Sequence, residues 1–148
     1  MKIVDFIRVN LAKYPFLKKA LMPINDIIRN HELKKLNKAF KVNADNIFRD
    51  IVAKLRGENI SFWPEFGTLL GIIRDGYFMP HDYDFDFGAF IDDKDAIISV
   101  LEKNNYKMVQ KFEGVNHPEI LEITFSIKDV NIDFFFFCKR RQLQLSHI

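Results

Sequence analysis

The chain has 148 residues, enough for one domain of ordinary size, and its 48% hydrophobic content can fill a core. A net charge of +2 is too small to mark a nucleic-acid binder, and a single cysteine, Cys138, rules out an internal disulfide. No stretch approaches the roughly 20 apolar residues that span a bilayer, and no apolar signal segment opens the chain, so a cytoplasmic location is expected. Sixteen Phe residues point to a strand-rich, aromatic-filled interior.

Residues 1–41 hold ten Lys/Arg against three Asp/Glu, whereas the remainder holds 12 against 17. This basic segment reads as helical, with Pro15 and Pro23 expected to divide it into short helices. Lys18, Lys19, Arg29, Lys34, Lys35 and Lys38 give it a cationic face. Such a face suits peripheral contact with an anionic membrane, here the inner face; a solvated helix packed on the domain is the plainer alternative. The catalytic core is expected over residues 42–148.

Residues 43–57 form the clearest helix. Asn43 or Asp45 is expected to cap it, Ile47, Phe48, Ile51, Val52 and Leu55 make its apolar face, and Gly57 ends it. Ile60–Trp63 reads as a short strand and Gly67–Arg74 as a short helix whose Leu69, Leu70, Ile72 and Ile73 are core. Tyr83–Phe90 alternates strictly and reads as a strand. Asp93 is expected to cap a helix through about Lys103. Tyr106–Phe112, Ile120–Ile127 and Val130–Cys138 read as strands, the last two joined by a Lys128-Asp129 turn. Cys138 is expected to be a small buried hydrophobe. The order predicts an α+β fold with a mixed, mostly antiparallel sheet flanked by helices.

The chemistry concentrates in Pro80-His81-Asp82-Tyr83-Asp84-Phe85-Asp86-Phe87-Gly88. Alternation puts Asp82, Asp84 and Asp86 on one strand face and the aromatics on the other. Carboxylates two apart lie about 6.5–7 Å apart, where each pair repels by about 2.5 kcal/mol at an effective dielectric near 20. Strands are depleted in Asp, so three on one face point to a bound divalent cation, with hard oxygen ligands suiting Mg²⁺ or Mn²⁺. An EF-hand is excluded, because the sixth and twelfth positions counted from Asp82 are Phe87 and Asp93 rather than Gly and Glu. His81 adjoins the carboxylates; packing the turn after Pro80 is its expected role.

Upstream, Gly67-Thr68-Leu69-Leu70-Gly71 opens a helix, a geometry that leaves backbone N–H groups for a phosphate. Arg74, two turns on, is placed to reach that phosphate or to pair with an aspartate. Trp63 is expected in the core, with Glu65 near substrate. Downstream, Asp133 stands alone in the apolar run Val130–Cys138. A buried carboxylate needs a partner: either a metal shared with Asp84 and Asp86 or an Arg or Lys.

The combination Gly67-Thr68-Leu69-Leu70-Gly71, Arg74, then Pro80-x-Asp82-x-Asp84-x-Asp86 resembles the LicD/fukutin family of phosphotransferases, which are similar to polymerase-β-type nucleotidyltransferases. The resemblance covers roughly residues 45–138. It implies Mg²⁺-dependent transfer of a phospho-alcohol, phosphocholine or ribitol phosphate, from a CDP-linked donor to a glycan or glycolipid acceptor, as in lipopolysaccharide or teichoic acid assembly. It implies Asp84, Asp86 and Asp133 as metal ligands, Gly67 and Thr68 as the phosphate turn, and Asp82 as an accessory for a second metal or for activating the acceptor. His81 and Tyr83 stand where the family usually has Trp and often Asp. The chain also stops sooner after Asp133 than the family's catalytic modules do. A small nucleotidyltransferase acting on another acceptor, and an inactive glycan- or partner-binding module, are the competing readings.

Overall fold

A computed structural model describes the backbone of residues 15–114 and 121–139, and the side chains of 29–114 and 121–139. The expectations for the side chains of Lys18 and Lys19 and for the strand start at Ile120 lie outside the described residues. The chain divides into two units, Met1–Lys35 and Leu36–Ile148. The described part of the first is helical; the second carries all that follows.

Helix α1 runs Pro15–Gly57 without a break. The expected division at Pro15 and Pro23 is therefore corrected. Pro15 stands at the first helical position, where a missing N–H costs little, and Pro23 is carried within a 43-residue helix that outweighs one lost bond. The expected cap at Asn43 or Asp45 is corrected for the same reason. Both sit inside the helix, and the Asn43 amide donates to the Ala39 carbonyl at 3.0 Å. Gly57 does end the helix. No described helix is long and apolar enough to cross a membrane.

Strand β1 is Phe62–Pro64, followed by α2 at Phe66–Asp75 and β2 at Asp84–Phe90. A 3₁₀ turn, Ile91–Asp93, leads into α3 at Lys94–Lys103. Asp93 occupies the cap position, but its side chain makes no cap hydrogen bond. Strands β3 (Lys107–Glu113), β4 (Leu121–Ile127) and β5 (Val130–Phe137) complete the fold. The five strands form one sheet in the order β1-β2-β5-β4-β3. Three pairings are antiparallel and one, β2 with β5, is parallel, so the α+β class with a mixed, mostly antiparallel sheet holds. Lys128 and Asp129 join β4 to β5, both with positive φ (51° and 61°), the conformation of a tight two-residue hairpin turn.

One sheet face is the core. Phe85 and Phe87 of β2, Ile132 and Phe134 of β5, and Ile123 and Phe125 of β4 are all fully buried. Helix α1 covers them with Phe40, Ile47, Ile51 and Leu55, and α3 adds Ile97 and Leu101. Phe40 packs at 4.7 Å from Phe85, and Phe87 stacks on Phe134 at 5.3 Å. Of the four residues expected as α2 core, one is found packed there, and Leu69 is half-buried. Ile72 packs on the core, whereas Leu70 and Ile73 are 50% and 75% exposed, because the ten-residue helix turns only one side to the sheet. Cys138 is exposed, correcting its expected burial: β5 ends at Phe137 and the thiol lies past the ladder.

Candidate active site

The opposite sheet face carries the carboxylates. Asp84 and Asp86 alternate with Phe85 and Phe87 on β2, and parallel pairing sets Asp86 beside Asp133 and Asp84 beside Asn131. Adjacent strands lie about 4.8 Å apart, so two elements distant in sequence put acids side by side. Asp82 precedes the strand rather than belonging to it. It sits in the turn after Pro80, where its Oδ2 accepts from the Met79 N–H at 3.2 Å. The Asn37 amide of α1 ties down that turn, donating to the carbonyls of Pro80 (3.1 Å) and Asp82 (2.6 Å). His81 is exposed there rather than packing the turn, which is held instead by the side chains of Asn37 and Asp82.

Helix α2 is clamped to Asp86 at its N-terminus. The Asp86 N–H donates to Thr68 Oγ1 at 2.9 Å, the Gly67 N–H donates to Asp86 Oδ2 at 3.2 Å, and the Glu65 N–H donates to the Asp86 carbonyl at 2.9 Å. A Cβ on Gly67 would lie 3.3 Å from that carboxylate oxygen, so the close approach depends on glycine. Gly71 is tighter still: a Cβ there would stand 2.8 Å from the Tyr77 carbonyl and 3.1 Å from the Met79 nitrogen. The turn thus brings the positive end of a helix to the acidic cluster.

Arg74 is not brought to the group. Its guanidinium forms a two-pronged pair with Asp75 at 2.9 and 2.6 Å on the exposed surface. Trp63 is half-buried and lies over Gly88 on the carboxylate face rather than in the core, correcting its expected place. A Cβ on Gly88 would meet the indole, which explains why glycine interrupts the strand there. The indole N–H donates to Glu65 Oε2. Phe66 packs its ring edge-on against Phe135, the next residue after Asp133 on this face, at 4.9 Å.

Burial and like charge both oppose ionisation of the carboxylates. Burial, then the charges of Asp86, Asp133 and Asp82, push Asp84 up to about 7. Burial and Asp133 raise Asp86 as well, while hydrogen bonds from the Gly67 and Thr68 backbone pull it partly back. Burial raises Asp133 too, opposed by a hydrogen bond from the Thr124 hydroxyl and reinforced by Glu122. No described Lys or Arg pairs with Asp133, and its Oδ1 is buried with no hydrogen-bond partner. Among the described residues, no three His, Cys, Asp or Glu side chains are already drawn together as a metal cluster. The chemistry of the set, three hard carboxylates with one buried oxygen orphaned, nonetheless fits a divalent cation.

Two site-facing residues come from β4, which the sequence reading passed over. Glu122 and Thr124 lie on the carboxylate face, and Thr124 is the antiparallel partner of Asp133. The signal was available: counting outward from the Lys128-Asp129 turn places Thr124 opposite Asp133.

A family model described as LicD/FKTN/FKRP, nucleotidyltransferase domain, matches residues 59–146. The chain belongs to this family. The matched LicD/FKTN/FKRP region contains the α2 turn, the β2 carboxylates and the β5 carboxylate. Two similar curated proteins are the ribitol-5-phosphate transferases FKTN of Macaca fascicularis and of Homo sapiens. Each is 34% identical over 101 residues, which is 67% of this chain and 22% of the relative. The ribitol 5-phosphate transferase FKRP of Mus musculus is 40% identical over 45 residues, 30% of this chain and 9% of the relative. The chain therefore spans about a fifth of the length of the FKTN proteins it matches.

Proposed function

We propose that this LicD/FKTN/FKRP-family chain transfers a phospho-alcohol, of the ribitol phosphate or phosphocholine kind, from a CDP-linked donor to a cell-surface glycan or glycolipid. Mg²⁺ or Mn²⁺ is the cofactor, held by Asp84, Asp86 and Asp133. The observation that carries this reading is the buried, partnerless Oδ1 of Asp133 beside Asp86, in a group where burial and the neighbouring acids lift Asp84 to about 7. The names of the relatives favour ribitol phosphate over phosphocholine.

A bound divalent cation supplies charge neutralisation and Lewis acidity at the phosphoryl oxygens. The chain's own residues do the rest. Asp84, Asp86 and Asp133 present oxygens from two adjacent strands. The N-terminus of α2 at Gly67 and Thr68 adds a positive end that favours the donor phosphate. An acceptor hydroxyl attacks phosphorus, the bond to CMP breaks, and the hydroxyl proton passes to a carboxylate; Asp82, at the mouth of the strand, takes that role.

The test is CMP release from CDP-ribitol, CDP-choline and CDP-glycerol with Mg²⁺. Asp84→Asn or Asp86→Asn is expected to lower the rate by about 10³-fold or more, the scale of several kcal/mol of lost charge stabilisation. Full activity in either variant rejects the metal assignment. Pyrophosphate release from nucleoside triphosphates, with CDP-alcohols untouched, rejects the donor.

A further inference from the structure

Among the described residues, two polar side chains are buried, Thr68 at 2% exposure and Thr124 at 8%. Each stands at a site aspartate. Thr68 Oγ1 takes the backbone N–H of Asp86, and Thr124 is the direct antiparallel partner of Asp133, with its hydroxyl on the side that stabilises that carboxylate. A buried hydroxyl costs stability unless it is paired, so a strand that only needed packing would carry Val at this position. Thr124 flanks Asp133 from β4 while Asp86 flanks it from β2. The carboxylate thus has a hydroxyl-bearing neighbour on one side and another acid on the other, and its Oδ1 is buried with no protein partner.

We propose that Thr124 is a positioning residue for metal binding: its hydroxyl fixes one oxygen of Asp133 so that Oδ1 is presented as the ligand. The proposal rests on the reading that Asp133 holds a divalent cation. β-Branching gives Thr124 a restricted χ1 in the strand, so the hydroxyl is held in place before the cation arrives. Glu122, on the same face of β4, contributes only repulsion at Asp133 and cannot serve in this way. Partners that orient a metal ligand are typically worth about 10- to 100-fold in affinity.

The experiment measures Mn²⁺ binding to the whole chain by electron paramagnetic resonance, with Mg²⁺ as competitor, alongside melting of the metal-free protein. Thr124→Val is expected to weaken Mn²⁺ binding by about 10- to 100-fold while melting at or above the wild-type temperature. Thr124→Ser, which keeps the hydroxyl, is expected to bind within a few-fold of wild type. Should Thr124→Val not fold, Thr124→Ala carries the same expectation for affinity. Wild-type affinity in the hydroxyl-free variant overturns the proposal and leaves the metal reading standing, as does a Ser variant as weak as the Val variant. A wild-type chain that binds no Mn²⁺ removes both.

Discussion

Strands β2 and β5 each carry two rows of side chains, and the rows have opposite fates. Phe85, Phe87, Ile132 and Phe134 face α1 and are fully buried. Asp84, Asp86 and Asp133, one residue away in each case, face the other side and repel one another. The same backbone therefore serves as a stabilising aromatic core on one side and a destabilised acidic surface on the other. The aromatic row holds the strands in parallel register, and that register sets Asp86 beside Asp133. Stability generated on one face maintains strain on the other, as expected where function and folding share an element.

The comparison breaks most sharply if the aromatic row is cut. Phe134 stacks on Phe87 and packs edge-on against Phe125. Phe134→Ala is expected to cost about 3–5 kcal/mol in a denaturant titration, the range for a buried Phe replaced by Ala. A cost below 1 kcal/mol contradicts the packing described. A smaller loss is expected where α2 packs against the segment leading into β2. Gly71→Ala forces a Cβ to within 2.8 Å of the Tyr77 carbonyl, a backbone atom that cannot swing aside. About 1–3 kcal/mol is expected from such overpacking, and a stability gain of the usual helical Gly-to-Ala kind shows that the contact is absent.

The two faces also differ in how far sequence alone reveals them. Alternation at Asp84–Phe90 exposed both rows of β2, and the single acid in Val130–Phe137 marked Asp133 as needing a partner. The two-residue turn at Lys128-Asp129 gave the hairpin. The parallel pairing of β2 with β5 was not legible, because period-2 alternation says which face a residue takes and nothing about which strand lies alongside. Thr124 was missed for a different reason: the turn sets it opposite Asp133, but a Thr among strand residues looks like ordinary β propensity unless that register is counted out. Pro23 misled, because a single lost backbone bond does not end a helix that continues on both sides of it.

The smallest effect belongs to the acidic face itself, and its sign follows from the direction of the shifts. Asp84 titrates at about 7 in the folded chain against 3.8 as the ordinary value, and Asp86 and Asp133 are also raised. Between about pH 4 and 7 the folded state binds more protons than the unfolded one, so stability falls as pH rises through that window and levels off above it. Asp50 is shifted the other way by its bonds to Lys54 and Tyr106, but its contribution is lost only as pH falls below the ordinary carboxylate range, outside this window. Burial is the first cause of these shifts and the neighbouring acids the second, and partial solvation moderates both. Melting in chelator is expected to drop from pH 5 to pH 8, and Asp84→Asn is expected to flatten the drop by removing the most shifted group. Millimolar Mn²⁺ is expected to flatten it as well, since a cation among the carboxylates replaces the protons. A slope that persists unchanged in Asp84→Asn places the titrating group elsewhere and separates the acidic face from the strain assigned to it.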